Sequence, residues 1–158
     1  MPERSGDPGD AGAAHTRPGG APPAAGVRSR ASRQVGEFHA AYGLPVRDVA
    51  DPAVGDDQVA LRLALIREEV GELAAAAADA DIVGIADALA DVVYVAYGTA
   101  HVYGIDLDAV LDEVHASNMT KLGADGQPVR RADGKILKGP DYRPPDIAAV
   151  LRHGAGLR

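Results

Sequence analysis

The chain has 158 residues, the length of one domain of ordinary size. A formal net charge of −7 opposes general binding to nucleic acid, whose phosphates demand a basic face. The absence of Cys excludes disulfides, thiolate zinc sites and Cys nucleophiles. No apolar run reads as a membrane span of about 18 residues, and no apolar signal core opens the chain, so a cytoplasmic protein without membrane contact is expected.

The charge is unevenly placed. Residues 29–120 hold 16 acids and 5 bases, whereas residues 121–143 hold 3 acids and 6 bases, including every lysine: Lys121, Lys135 and Lys138. An acidic body followed by a compact basic segment suits either a metal-bound polyanion or an ordinary solvated surface.

Residues 1–28 are expected to form a disordered tail. Up to residue 27 they hold 6 Gly and 5 Pro and too little apolar surface to offset the entropy of ordering. A first helix is predicted from about Ser29 to Tyr42, with Val35, Phe38 and Tyr42 at helical spacing, Gly43 as its end and Pro45 beyond. His39 beside that face reads as a packed or hydrogen-bonded core residue. A second helix is predicted from near Asp57 to Ala78, capped by Asp56 or Asp57. After the turn Asp79-Ala80-Asp81, a third is predicted over Ile82 to Tyr103. It is apolar nearly all round, which predicts burial. Asp106 is predicted to cap a fourth helix reaching about Lys121. Beyond it, Asp125-Gly126 and Asp133-Gly134 mark turns, the second flanked by a possible hairpin, and Asp146 is placed to cap a last short helix. The expected fold class is all-α, with a helical core over 29–122 and an extension over 123–158 that combines irregular chain, a hairpin and a short helix.

Two helices carry acids where apolar residues belong. With Glu68 at zero on a helical wheel, Glu72 falls near about 40° and Glu69 near about 100°, while Leu61 and Leu65 fall near about 20° and 60°. Asp91 sits in the middle of the apolar third helix, and Asp87, one turn earlier, lies on nearly the same side. Desolvated carboxylates cost several kcal/mol unless a cation meets them. Oxygen ligands without His or Cys select Mg²⁺, with Mn²⁺ also suited, over zinc. Glu-Glu-x-x-Glu also occurs on plain solvated faces; the wheel position and the Asp87/Asp91 pair favour a metal site.

Glu68-Glu69-Val70-Gly71-Glu72 followed by Asp87-Ala88-Leu89-Ala90-Asp91 resembles the all-α nucleoside triphosphate pyrophosphohydrolase superfamily, which includes the MazG-like proteins. The likeness is to its phosphoribosyl-ATP pyrophosphohydrolase-like branch. Ser117-Asn118-Met119-Thr120-Lys121 and Lys138-Gly139-Pro140-Asp141-Tyr142 extend it. The resemblance implies a four-helix MazG-like bundle in which Glu68, Glu69, Glu72 and Asp91 are metal-binding and catalytic acids. The superfamily's E-x-x-D motif would place Glu at position 88. This chain has Ala88, and Asp87 either substitutes for the missing ligand or leaves four carboxylates to act.

The implied reaction is Mg²⁺-dependent hydrolysis between the α- and β-phosphates of a nucleoside triphosphate, in a nucleotide-cleaning role. Glu69 is the preferred general base, with Glu68 and Glu72 as the other candidates. Lys121 and Lys138 are candidate phosphate cations. Asn118 is a candidate for binding base, ribose or phosphate, and Tyr142 either stacks on a base or pins the extension. Tyr94, Tyr97 and Tyr103 are expected in core or interface packing, and His101 and His115 at the surface or a helix end. The resemblance also implies a homodimer or higher homo-oligomer. The competing reading is a catalytically inactive helical module that binds metal or nucleotide. A di-iron bundle is disfavoured because no Glu-x-x-His pair exists.

Overall fold

The computed structural model describes residues 28–123 and 125–154, so the expected tail, Arg28 excepted, lies outside the described residues. Those residues are all-α. Helices α1 (Arg30–Tyr42), α2 (Asp56–Ala78), α3 (Ile82–Tyr103) and α4 (Leu107–Met119) are followed by a short α5 (Ile147–Gly154).

Local chemistry sets most helix ends. The Ser29 side chain accepts the Ser32 N–H at 3.1 Å and starts α1. Asp81, Asp106 and Asp146 cap α3, α4 and α5 in the same way, accepting from Val83, Ala109 and Ala149 at 3.0, 3.1 and 2.9 Å. At α2 the expected side-chain cap is absent. Gly55 is the N-cap, and Asp56 and Asp57 lie inside the first turn, where their charge meets the positive end of the helix dipole. Helix α4 stops at Met119, short of Lys121, because the last turn tightens: the Thr120 and Lys121 N–H groups reach back only three residues, to Ser117 and Asn118. The expected hairpin about Asp133-Gly134 forms one isolated antiparallel bridge, Arg130 with Ile136, and a separate bridge outside it joins Leu122 with Pro128.

Helix α2 runs antiparallel to α3 along most of its length, and α1 packs on the C-terminal half of α3. The chain between α1 and α2 closes over the end of α3: Arg47 N–H donates to the His101 carbonyl at 2.9 Å and Asp51 N–H to the Tyr103 carbonyl at 3.0 Å. Gly104 ends α3 at φ 69 with the Val49 carbonyl pressed against it, a position with neither the backbone angle nor the room for a side chain.

The predicted burial of α3 is only half met. Ala88, Tyr97, Gly98, Ala100, His101 and Val102 are buried, but Ile82 and Val83 are 73% and 75% exposed, and Leu89 and Val93 about half exposed. Helix α1 reaches only the far half, and among the described residues these four side chains stay about half or more exposed. The reading of the apolar runs is corrected too. By length and composition α3 could cross a membrane, although two carboxylates near its centre would be costly in hydrocarbon.

The core joint between α1 and α3 is polar. His39 and His101 are buried with ring centroids 5.7 Å apart. His39 Nδ1 bonds the Pro45 carbonyl at 2.9 Å, as expected of a packed histidine, and His101 Nε2 bonds the Ser32 carbonyl at 3.0 Å. His101 is thus a core residue in the last turn of α3, which meets the helix-end alternative predicted for it and not the surface one. Tyr97, buried as expected, donates its hydroxyl to Asp108 at 2.7 Å, and the other Asp108 oxygen accepts the Ser29 N–H at 2.8 Å. Partial burial would raise the Asp108 carboxyl, but these bonds and the Arg28 charge more than offset it, leaving it below the usual carboxylate range.

Two outcomes follow for stability. Desolvation first, then the charges of Arg62 and His101, hold His39 below its ordinary value of 6.5, against the opposing pull of the Pro45 carbonyl. The unfolded chain therefore takes up this proton before the folded one, so stability is full above pH 6.5 and falls below it. Melting temperature against pH should decline there in the wild type and flatten between pH 5 and 6.5 in His39→Gln. Asp108→Asn should cost about 1–3 kcal/mol in urea unfolding, by disturbing a half-buried hydrogen-bonded carboxylate that joins three elements.

Candidate active site

The register of the α2–α3 pair is set by contacts on either side of its middle. Gly98 lies against Arg62, and Gly84 against Ala76. The same antiparallel register puts Asp91 opposite Glu69 and brings Asp87 level with Glu72, near the centre of both helices. All five predicted acids are therefore gathered into one groove.

Their charges act on one another. The Glu69 carboxyl is held above its ordinary value first by partial desolvation and then by the charges of Asp91, Glu72, Glu68 and Asp87, in that order. No basic group figures among these influences, and among the described residues none of the five acids forms an ion pair. Glu69 and Asp91 are half-buried, while Glu68, Glu72 and Asp87 are exposed. Ala88, at the position of the motif's absent glutamate, is 3% exposed, sealed away from solvent. Asp87 beside it reaches the cluster, as the weakest of the four influences on Glu69.

The donor set fits a hard divalent cation in type and charge: five carboxylates, no sulfur, no imidazole and no competing base. As the side chains stand, no three His, Asp or Glu among the described residues converge closely enough to hold a metal ion. Holding one requires rotation of the exposed glutamates toward Glu69 and Asp91, which flexible side chains at solvent can make.

The candidate substrate residues lie at the end of α4 and in the extension that follows it. Helix α4, ending just before Lys121, packs on α5. Lys138 Nζ lies 4.4 Å from the centre of the Tyr142 ring, so these two meet each other. No hydrogen bond, ion pair or ring contact joins Asn118, Lys121, Lys138 or Tyr142 to the carboxylate groove within the described residues.

One charged residue near the site escaped the sequence. Arg62 is 5% exposed, its Nε is buried without a partner, and burial holds the guanidinium below its ordinary value. Gln58, one turn earlier, has a buried unpartnered Oε1. Arg62 lies two turns from Glu69 on the same side of α2, about 10 Å along the axis. Its heptad spacing from Glu69 was the available signal, masked because Arg ordinarily reads as surface.

Parts of the chain are similar to known proteins. A family model for phosphoribosyl-ATP pyrophosphohydrolase matches residues 35–118. Uncharacterized protein L479 of Acanthamoeba polyphaga mimivirus is 44% identical over 77 residues, 47% of this chain, and the chain spans 31% of that relative's length. A crystal structure from Exiguobacterium sp. 255-15, of a protein bearing the provisional name NTP pyrophosphohydrolase, is 22% identical. It covers 82% of this chain and 96% of its own at a TM-score of 0.42, too distant to bear on the argument. Matched by the family model over more than half of its length, with all five acids inside the matched span, the chain belongs to the phosphoribosyl-ATP pyrophosphohydrolase family.

Proposed function

We propose that this pyrophosphohydrolase-type enzyme hydrolyses nucleoside triphosphates between the α- and β-phosphates, releasing the monophosphate and pyrophosphate in a nucleotide-cleaning role. The observation that carries the reading is the gathering around Glu69 of the motif's other acids, Glu68, Glu72 and Asp91, with Asp87 beside them. Family membership supports the reaction type.

Glu69, Asp91, Glu68 and Glu72 would hold Mg²⁺ or Mn²⁺, with Asp87 as an outer contributor. The cation, when bound, supplies charge neutralisation of the triphosphate and a lowered pKa for water. Glu69 is the base of choice because it lies at the centre of the acid cluster, next to each of the other four carboxylates. The water oxygen bonds to the α-phosphorus, the bridging bond to the β-phosphate breaks, and pyrophosphate leaves with the bridging oxygen. Lys121, Lys138, Asn118 and Tyr142 would grip the substrate. The apolar α3 surface supports a homodimer, since among the described residues Ile82 and Val83 are largely exposed and Leu89 and Val93 about half exposed.

The sealed Ala88 favours one rival reading, a module that binds metal and nucleotide without turnover. A pyrophosphate-release assay with Mg²⁺ over canonical, deoxy and damaged triphosphates and phosphoribosyl-ATP decides between them. Turnover by the wild type, reduced by Glu69→Ala about 10²-fold or more, is expected; nucleotide binding without turnover overturns the activity. A divalent-free melt gives an independent check. Because the fold raises the Glu69 carboxyl, its charged form destabilises the folded state at neutral pH, so Glu69→Gln should raise the melting temperature, and adding Mg²⁺ should stabilise the wild type more than the variant. Sedimentation is expected to show a dimer; a monomer counts against the assembly.

A further inference from the structure

A cavity of about 220 Å³ lies where the end of α3, the loop before α2 and helix α5 meet. We propose that it is a second ligand site, for a free α-amino acid with an apolar side chain. It is separate from the carboxylate groove: His101 in its wall is ten residues beyond Asp91, about 15 Å along α3.

Its walls are fixed by hydrogen bonds before any ligand arrives. The Arg47 and Asp51 N–H groups bond the loop to the His101 and Tyr103 carbonyls. The extension is fastened to α4 and holds α5 in place. Ser117, almost fully buried, donates its hydroxyl to the Arg143 carbonyl at 2.8 Å, and Arg143 N–H donates to Thr120 Oγ1 at 2.9 Å. Asp146 N–H donates to Glu113 Oε1 at 2.9 Å.

The lining sets the class of ligand. Among the described residues it carries both signs of charge, Arg28 and Arg47 with Asp48 and Asp106. Two cations and two anions cancel, which disfavours polyanions and polycations alike and favours a ligand with one charge of each sign. Arg47 and Asp48 are consecutive, and their opposite charges suit the adjacent carboxylate and ammonium groups of an α-amino acid. Arg47 donates through one nitrogen to the Asp51 carboxylate and the Ala53 carbonyl, both at 3.1 Å, which fixes a fork that has further donors. Asp106 is fixed likewise by accepting the Ala109 N–H at 3.1 Å through one of its two oxygens. Ile105 and Leu151 add apolar lining. Ile147, Val150 and Leu151 recur at helical spacing along α5, yet no residue of that helix is buried, so its apolar side still has surface to cover. The volume exceeds the cavity of about 150 Å³ that holds a benzene ring, and an amino acid of moderate size fits.

The test needs no turnover. Melting of the intact chain is followed with each proteinogenic α-amino acid at millimolar concentration, without divalent cation or nucleotide, and those that act are titrated by calorimetry. At least one apolar amino acid is expected to bind and to raise the melting temperature. Its decarboxylated amine and its deaminated acid should each bind about tenfold more weakly or worse, because each lacks one charge-assisted hydrogen bond. Asp48→Asn, at an exposed position, should weaken the amino acid about tenfold and leave the deaminated acid unchanged. Leu151→Trp, which fills the cavity, should abolish binding while circular dichroism stays helical; should that variant not fold, Asp48→Asn still decides. Failure of every amino acid to bind overturns the proposal, as does binding that survives Asp48→Asn or a folded Leu151→Trp unchanged. Inorganic phosphate or adenosine monophosphate binding more tightly than any amino acid, and lost in Leu151→Trp, overturns it in favour of a polyanion site.

Discussion

Antiparallel packing of α2 on α3 is the constraint from which the rest follows. The Asp79–Asp81 turn returns the chain, Asp81 both closes the turn and caps α3, and the register then fixes which residues face each other over some twenty positions. Small residues at Gly84, Ala88 and Gly98 permit the close approach. The same approach forces Glu69 and Asp91 to share a half-solvated groove, where neither has a counter-ion. The fold maintains this repulsion at a cost in stability, as expected of a site made to receive charge.

Polar groups at the other end of the pair behave differently. His39, His101 and Arg62 are three bases in a region with little solvent, and each imidazole bonds a main-chain carbonyl. The groove thus has an anionic middle and a buried basic end about two turns away. That gradient along one helix pair is the electrostatic feature of the molecule, and a net charge summed over the chain conceals it.

The helices were legible because their ends are written locally. Ser29, Asp81, Asp106 and Asp146 are caps whose signals need no tertiary information, and Gly43 and Gly104 stop α1 and α3 for equally local reasons. The acids were legible because carboxylates at wheel positions shared with leucines contradict ordinary amphipathicity. The cap of α2 misled because two acids inside a first turn look the same in sequence as one acid before it. The burial of α3 was overestimated because apolarity reports the need for a covering surface and is silent on whether the same chain supplies it. Arg62 and His101 were missed for the converse reason: their burial depends on α1 crossing α3, which no local pattern encodes.

The fastening of the extension has a consequence for sequence variation. Two of its bonds use the main-chain carbonyl and N–H of Arg143, while the matching hydroxyls belong to Ser117 and Thr120. The constraint therefore falls mainly on the helix end that supplies the hydroxyls, because the docked residue's side chain adds only a solvent-exposed ion pair with Glu113 at 3.4 Å. Change at position 143 should be absorbed with little loss of order, whereas removing either hydroxyl should free the whole strap.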